Sequence, residues 1–193
     1  LSGDKIFVDE VCEVTAYLMD HCNALEKDDN SSLNNVMPLK LHGVYTKSQI
    51  QVAIGTSNIT KKSSNREGCE RNVLNGVALE AMFVDIIKDR EIGSNTNYND
   101  FAQSSCKFHW ETQNKVSPES LTGQKYIRQT QTMLLFVRKQ AKAADNPTRT
   151  MGYVYLGEVK LESYSGSRPM QIVWLLKDPM PGEVYEYAVK YVV

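Results

Sequence analysis

The segment from Asn97 to Asn114 brings aromatic rings and hydrogen-bonding side chains into a short stretch of chain. Aromatic side chains offer flat faces on which a nucleobase can stack, and carboxylate and amide groups can bond to the edge of the base. Asp100 is the natural acceptor for the amino group of a cytosine, which is a donor. The segment therefore predicts a base-binding site made of Tyr98, Asp100, Phe101, His109, Trp110 and Gln113.

The same segment also fits an ordinary strand. Residues 106–111 alternate in polarity, so that Phe108 and Trp110 fall on one face and His109 on the other. Large aromatic rings are more often packed in a core than used to bind a ligand. Core packing and base binding therefore both remain open for Trp110 at this point.

Basic side chains are frequent in the chain that follows, and DNA phosphates would be their natural ligands. Arg168 stands in a turn, Ser165–Pro169, ahead of an apolar stretch, where its guanidinium could brace either a phosphate or the sheet itself. Isolated basic residues are more often solvated surface. The predicted phosphate contacts are Lys115, Lys125, Arg128, Arg138 and Arg168.

No catalytic signature is recognisable. The motifs G-x-x-x-x-G-K-[ST], G-x-G-x-x-G, H-E-x-x-H and G-x-S-x-G are all missing from the sequence. Four cysteines (Cys12, Cys22, Cys69 and Cys106) and three histidines (His21, His42 and His109) are scattered without metal-ligand spacing. Scattered cysteines are typical of a reducing compartment. We therefore expect a cytoplasmic protein with no catalytic residues, no metal and no cofactor.

Length and composition favour one soluble globular domain of ordinary size, or one domain with a small appendage. The chain has 193 residues, a formal net charge of −1 and 41% hydrophobic residues. A near-zero net charge argues against a protein that coats nucleic acid generally, although a local basic face remains compatible with it. No apolar run is long enough to cross a membrane. The start at Leu1, without an initiator Met or a leader, is typical of a segment of a larger protein.

Helices are predicted at both ends of the chain. Apolar residues recur at helical spacing over residues 6–27, and the polar run 26–35 follows, so residues 1–35 are predicted to be a helical connector. A capping box at Thr46 and Gln49 predicts a second helix, which a left-handed residue at Gly55 would stop. Two further short helices are expected, one beginning at Ser117-Pro118 and one after Pro181.

The chain between residues 82 and 176 is rich in β signals. Apolar or alternating runs predict strands at 82–87, 106–111, 133–137, 153–161 and 171–176, separated by turn clusters such as Gly93–Asn95 and Ser165–Ser167. The run 133–137 is apolar throughout, which is typical of a strand buried on both faces. The predicted fold is α+β, a partly closed and mainly antiparallel β-barrel with flanking helices.

A series of ordered motifs resembles a known family. The chain is similar, over about residues 38–193, to the family catalogued as domain of unknown function 3427, the C-terminal target-recognition domain of SauUSI-like modification-dependent (type IV) restriction enzymes. The motifs that carry the resemblance are Tyr45–Ile50, Arg66–Gly68, Tyr98–Ala102, Phe108–Asn114, Ser117–Ser120, Gly123–Ile127, Leu135–Arg138, Tyr155–Gly157 and Gly166–Met170.

The resemblance implies a fold and a function. It implies that residues 36–193 form a DNA-reading domain of the SET-and-RING-associated (SRA) or PUA-like type, which flips a modified cytosine out of duplex DNA. The parent protein would be a bacterial, ATP-dependent restriction endonuclease with a phospholipase-D-type nuclease and a superfamily 2 helicase, and this segment would not be its enzymatic part. The implied partners are double-stranded DNA containing 5-methyl- or 5-hydroxymethylcytosine and the helicase and nuclease domains.

Two positions depart from the family's pattern, and two other functions remain open. Phe101 stands where Tyr is usual, and Glu111 stands where Gln is usual, which would add a second negative charge near the predicted site. The main alternative to DNA reading is a non-catalytic protein-interaction or oligomerisation module of a helicase–nuclease. A hydrolase that uses Asp100 and His109 is the other.

Overall fold

The computed structural model describes residues 8–10, 12–14, 38–58, 60–65, 68–88 and 99–189. Eight strands and three helices follow one another among the described residues between 44 and 188. The strands are β1 (Val44–Tyr45), β2 (Cys69–Leu74), β3 (Val77–Ile87), β4 (Phe101–Ser104), β5 (Lys107–Glu111), β6 (Thr132–Gln140), β7 (Tyr153–Ser165) and β8 (Gln171–Leu176). The helices are α1 (Lys47–Ala53), α2 (Leu121–Arg128) and α3 (Gly182–Ala188).

The strands form one mainly antiparallel sheet in the order β2-β3-β6-β7-β8-β5-β4, and β1 pairs with the first part of β7. Only the pairing of β3 with β6 is parallel among the described strands. The hydrogen-bonded order ends at β2 and β4, so the sheet is open. The prediction of a partly closed barrel is therefore wrong, whereas the α+β class and the mainly antiparallel pairing are confirmed.

Two hydrophobic clusters lie on opposite faces of the sheet. Because side chains alternate along a strand, β6 sends Met133, Leu135 and Val137 into the larger cluster and Leu134 and Phe136 into the smaller one. The prediction that residues 133–137 are buried on both faces is thus confirmed. The larger cluster also receives residues from β4, β5, β8, α2 and α3. The smaller one is covered by Ile50 of α1 and by Ile54, the residue that caps the C-terminal end of α1.

Helix α1 begins as the capping box predicts. The backbone N–H of Thr46 donates to Gln49 Oε1 at 2.8 Å, and the backbone N–H of Gln49 donates to Thr46 Oγ1 at 3.3 Å. These bonds satisfy two N–H groups that a helix start otherwise leaves without a partner. The predicted left-handed residue is also present, since Gly55 has φ of 76°.

Helix α2 begins one turn later than predicted. Ser120, not Ser117, is its N-cap, because Ser120 Oγ accepts the backbone N–H of Gly123 at 3.0 Å. Residues Ser117–Ser120 instead form a turn, in which Ser120 Oγ donates to the Ser117 carbonyl at 2.6 Å. The predicted helix after Pro181 is confirmed as α3, which buries Val184 and Ala188.

Little of the predicted connector falls in the part of the chain that the structure describes. Residues 8–10 and 12–14 are helical and exposed, and the rest of 1–35 lies outside the described residues. None of the described helices is both long enough and apolar enough to cross a bilayer.

Candidate nucleic-acid interface

The hairpin of β4 and β5 carries most of the predicted base-binding residues, and its register divides them between two faces. Phe101 pairs with His109, and Ala102 pairs with Phe108. Continuing this antiparallel register by one residue sets Asp100 opposite Trp110. Because successive side chains alternate, Asp100 and Trp110 belong to the face that carries the larger cluster, and Phe101 and His109 belong to the other face. A single base cannot contact all four.

Trp110 is packed as a core residue. It is 7% exposed and belongs to the larger hydrophobic cluster. Its ring meets that of Tyr126 edge-on, with centroids 5.5 Å apart, and lies 6.2 Å from the ring of Trp174. Of the two interpretations that the sequence left open for this residue, its packing supports the core.

Phe101 and His109 form a stacked pair on the opposite face of the hairpin. Their ring centroids are 4.7 Å apart and their planes differ by 19°. The Nδ1 atom of His109 lies 2.7 Å from the carbonyl oxygen of Asn99, a contact that fixes the ring's orientation. The pair is a cross-strand contact between directly opposite residues, which is a common way to stabilise a hairpin.

Asp100 is fixed by two donors, and its side chain is 6% exposed. The backbone N–H of Glu111 donates to Oδ1 at 2.9 Å, and Lys88 Nζ donates to Oδ2 at 2.9 Å. Burial raises the pKa of Asp100, while the positive charge of Lys88 and the N–H of Glu111 act to lower it. Lys88 was missed by sequence reasoning, and no local pattern could have found it, because it lies twelve residues before its partner.

Glu111 faces the chain just before β4. Its Oε2 atom accepts the backbone N–H of Asn99 at 3.0 Å, so this carboxylate serves to anchor the entry to β4. It also adds negative charge near Asp100, an effect that raises the pKa of Asp100 further. Gln113 is half-buried in the loop after β5. Tyr98, the remaining predicted base-binding residue, lies outside the described residues.

The predicted phosphate contacts fall into two groups. Arg138 makes a two-bond ion pair with Asp85, with N···O distances of 2.7 and 2.9 Å, and its guanidinium lies 4.2 Å from the centroid of the Tyr153 ring. It also donates to the Met151 carbonyl at 3.0 Å. These contacts hold Arg138 within the protein. The exposed group consists of Lys115, Lys125, Arg128 and Arg168.

Two of the exposed basic residues are brought together by the backbone. The N–H of Arg168 donates to the carbonyl of Val116 at 3.0 Å, so the β7–β8 turn lies against the loop that carries Lys115. Arg168 has φ of 58°, a left-handed backbone conformation that residues other than glycine seldom adopt. The other two, Lys125 and Arg128, lie in the last turn of α2.

A cleft of about 430 Å³ opens beside the end of α2. It lies between the start of β6 and the middle of β7, and its polar lining includes Gln131, Thr132, Glu158 and Lys160. None of the five predicted base-binding residues that the structure describes lines it. In the described ranges there is also no cluster of three or more potential metal ligands.

The chain resembles the crystal structure of Arabidopsis thaliana SUVH6 in complex with SAM, with a TM-score of 0.43 and 13% sequence identity. The match covers 88% of this chain and 32% of that chain, so the domain spans about a third of the length of SUVH6. No curated protein matches the sequence.

A family model, by contrast, matches most of the chain. The model is described as Domain of unknown function (DUF3427), and it matches residues 39–188. This range contains every described strand and the helices α1, α2 and α3. It also contains Asp100, Lys88 and the stacked pair of the β4–β5 hairpin. The chain therefore belongs to the DUF3427 family.

Proposed function

We propose that this domain recognises modified cytosine in duplex DNA, 5-methyl- or 5-hydroxymethylcytosine, by flipping the base out of the helix. In this proposal it is the specificity module of a bacterial, cytoplasmic type IV restriction enzyme. The nuclease and helicase domains would lie elsewhere in the parent protein, and this domain would carry no catalytic step. Its partners are then modified DNA and those two domains.

The observation that carries the proposal is that the Asp100 carboxylate is buried and held in a fixed orientation. A carboxylate that is 6% exposed costs free energy, and the fold meets that cost with one backbone N–H and one ammonium. Oxygen Oδ1 is held by the backbone of β5, so the carboxylate has a fixed direction. Recognition of a cytosine amino group requires a hydrogen-bond acceptor, and Asp100 offers one with a fixed direction at the end of the β4–β5 hairpin.

Binding of duplex DNA also requires contacts to the phosphate backbone, and the exposed basic residues can supply them. Lys115 and Arg168 lie on adjacent loops, and Lys125 and Arg128 lie on one helix turn. Phosphate contacts position a protein on DNA without reading its sequence. We assign this role to these four residues and not to Arg138, whose guanidinium is occupied by Asp85.

The energy balance favours modest discrimination by the methyl group alone. Extruding a base costs a few kcal/mol, and each stacking contact returns about 1–3 kcal/mol. One buried methyl group adds about 0.8 kcal/mol, which corresponds to about a fourfold preference. Stronger selectivity must come from contacts to neighbouring bases or from activation of the nuclease.

The test is binding of this chain to matched duplexes that differ only in one cytosine modification. Fluorescence anisotropy should show tighter binding to the modified duplex and affinity that falls steeply with salt. A 2-aminopurine placed beside the modified cytosine should brighten on binding, because flipping removes its stacking neighbour. Asp100→Asn should weaken binding to the modified duplex and reduce the 2-aminopurine signal, whereas Glu119→Gln, a change at an exposed carboxylate, should leave both intact.

Equal affinity for modified and unmodified duplexes would refute the proposal. Absence of salt-sensitive DNA binding, together with a dimer or a partner complex on size-exclusion chromatography, would instead support the protein-interaction module.

A further inference from the structure

The ion pair of Lys88 and Asp100 joins two parts of the sheet that are far apart in strand order. Lys88 follows directly after β3, and Asp100 precedes β4, with four strands between β3 and β4 in the sheet. The Nζ–Oδ2 distance is nevertheless 2.9 Å. The curl of the sheet thus places a positive and a negative group side by side at one end of the larger cluster.

The two partners differ in their freedom to move. Asp100 is held by the N–H of Glu111 as well as by Lys88, and its side chain is 6% exposed. The side chain of Lys88 is 29% exposed and ends in a compact ammonium on a four-carbon stem. The carboxylate is therefore the fixed member of the pair and the ammonium is the adjustable one.

We propose that Lys88 is a specificity-determining residue, which donates to the base edge while Asp100 accepts from it. This inference rests on the proposed function of the domain. The Watson–Crick edge of cytosine presents a donor, the N4 amino group, followed by the acceptors N3 and O2. A carboxylate beside an ammonium presents the complementary order of an acceptor followed by a donor.

The same pair rejects thymine. Thymine presents the acceptor O4 where cytosine has its amino group, and the donor N3–H where cytosine has an acceptor. Asp100 would then face an acceptor, and Lys88 would face a donor. An ammonium has three N–H groups, so Lys88 can donate to a cytosine and to Asp100 at the same time. Because buried polar groups left without a partner are costly, the mismatch lowers affinity for thymine.

The experiment compares wild type with Lys88→Met, which keeps an unbranched apolar side chain and removes the charge and the donors. Two duplexes are used, one with 5-methylcytosine opposite guanine and one with thymine opposite guanine at the same position. Affinities are measured by fluorescence anisotropy over a range of salt concentrations. Lys107→Met is the matched control, because Lys107 forms an ion pair with Glu162 on a more exposed part of the sheet.

Wild type should bind the methylcytosine duplex at least about tenfold more tightly than the thymine duplex. Lys88→Met should lose most of this preference while the slope of log K against log salt stays unchanged. Lys107→Met should retain the preference. Lys88→Arg, which keeps a cationic donor, should retain part of it.

Two results would overturn the inference. A slope that falls by about one in Lys88→Met, with the preference intact, would make Lys88 a phosphate contact. A lower urea midpoint with unchanged preference and slope would make the ion pair purely structural. Failure of the proposed function has a different signature, since wild type itself would then bind methylated and unmodified duplexes equally.

Discussion

Tyr126 donates a hydrogen bond to Glu80 at 2.8 Å inside the protein, and this bond ties α2 to β3. Glu80 is 0% exposed. Arg71 on β2 donates to both of its oxygens, at 2.6 and 2.9 Å, and the side-chain amide of Gln131 contacts it as well. One carboxylate therefore connects two strands, one helix and the loop that precedes β6.

Removing this carboxylate should destabilise the domain strongly. We expect Glu80→Ala to lower the free energy of unfolding by about 2–4 kcal/mol, because it leaves Tyr126 and Gln131 without their acceptor and opens a void. Urea denaturation followed by circular dichroism measures the loss. Glu162→Ala, which breaks the exposed pair with Lys107, should cost less than about 1 kcal/mol. Similar losses in both variants would contradict the prediction.

Gly123 allows α2 to lie directly on the turn before it. A Cβ atom at this position would be 2.0 Å from the carbonyl oxygen of Ser117 and 2.9 Å from Met170 Sδ. Gly123→Ala should therefore destabilise the domain by about 1–3 kcal/mol or more, because the helix must shift. Gly182→Ala at the start of α3 meets no atom within 4 Å and should stabilise the domain by about 0.4–1 kcal/mol. Thermal denaturation of the two variants should show shifts of opposite sign.

Arg138 and Arg168 should respond differently to the same substitution. Arg168→Gln should reduce the slope of log K against log salt for DNA by about one and leave stability unchanged. Arg138→Gln should leave the slope unchanged and lower stability, since it removes the ion pair with Asp85 and the contact with Tyr153. A reduced slope in the Arg138 variant would mean that its guanidinium leaves Asp85 to bind DNA.

Cys69 should be chemically inert in the folded protein. Burial, and then the negative charge of Glu80, raises the pKa of its thiol well above the ordinary value, and only the thiolate reacts readily with alkylating reagents. Mass spectrometry after iodoacetamide treatment should find Cys12, which is exposed, modified before Cys69. Cys69 should react only when urea unfolds the domain. If Cys69 is modified in native buffer as fast as Cys12, its thiol is not buried from solvent and the prediction is wrong.

The free energy of unfolding should depend on pH partly through the titration of Asp100. Burial raises the pKa of Asp100 above its value in the unfolded chain. Its contribution to stability is then fully present below the unfolded pKa and is lost as pH rises through the folded pKa. Relative to Asp100→Asn, wild type should therefore lose stability as pH rises above about 4.

Urea denaturation of both proteins at a series of pH values gives this difference directly. Asp145→Asn, at a side chain that is 72% exposed, reports the effect of removing a surface carboxyl. A difference between wild type and Asp100→Asn that grows in favour of wild type with rising pH would contradict the raised pKa.

Several features could be predicted from the sequence because they depend on neighbours in the chain. The capping box at Thr46 and Gln49 involves residues three apart, and the double burial of residues 133–137 follows from a continuous apolar run. The start of α2 was misplaced because Ser117 and Ser120 are both competent caps. In the structure Ser120 is the cap, because its Oγ accepts the backbone N–H of Gly123.

The amino-acid sequence alone established that aromatic rings, an acid and amides lie within one short segment, residues 97–114. Only the tertiary structure decided how they divide, with Trp110 against Tyr126 and Trp174 and with Phe101 against His109 on the other face. It also decided that Asp100 meets Lys88 and that the sheet stays open. The physical reason is that these contacts arise from the curl and register of strands distant in sequence, which no local pattern of residues encodes.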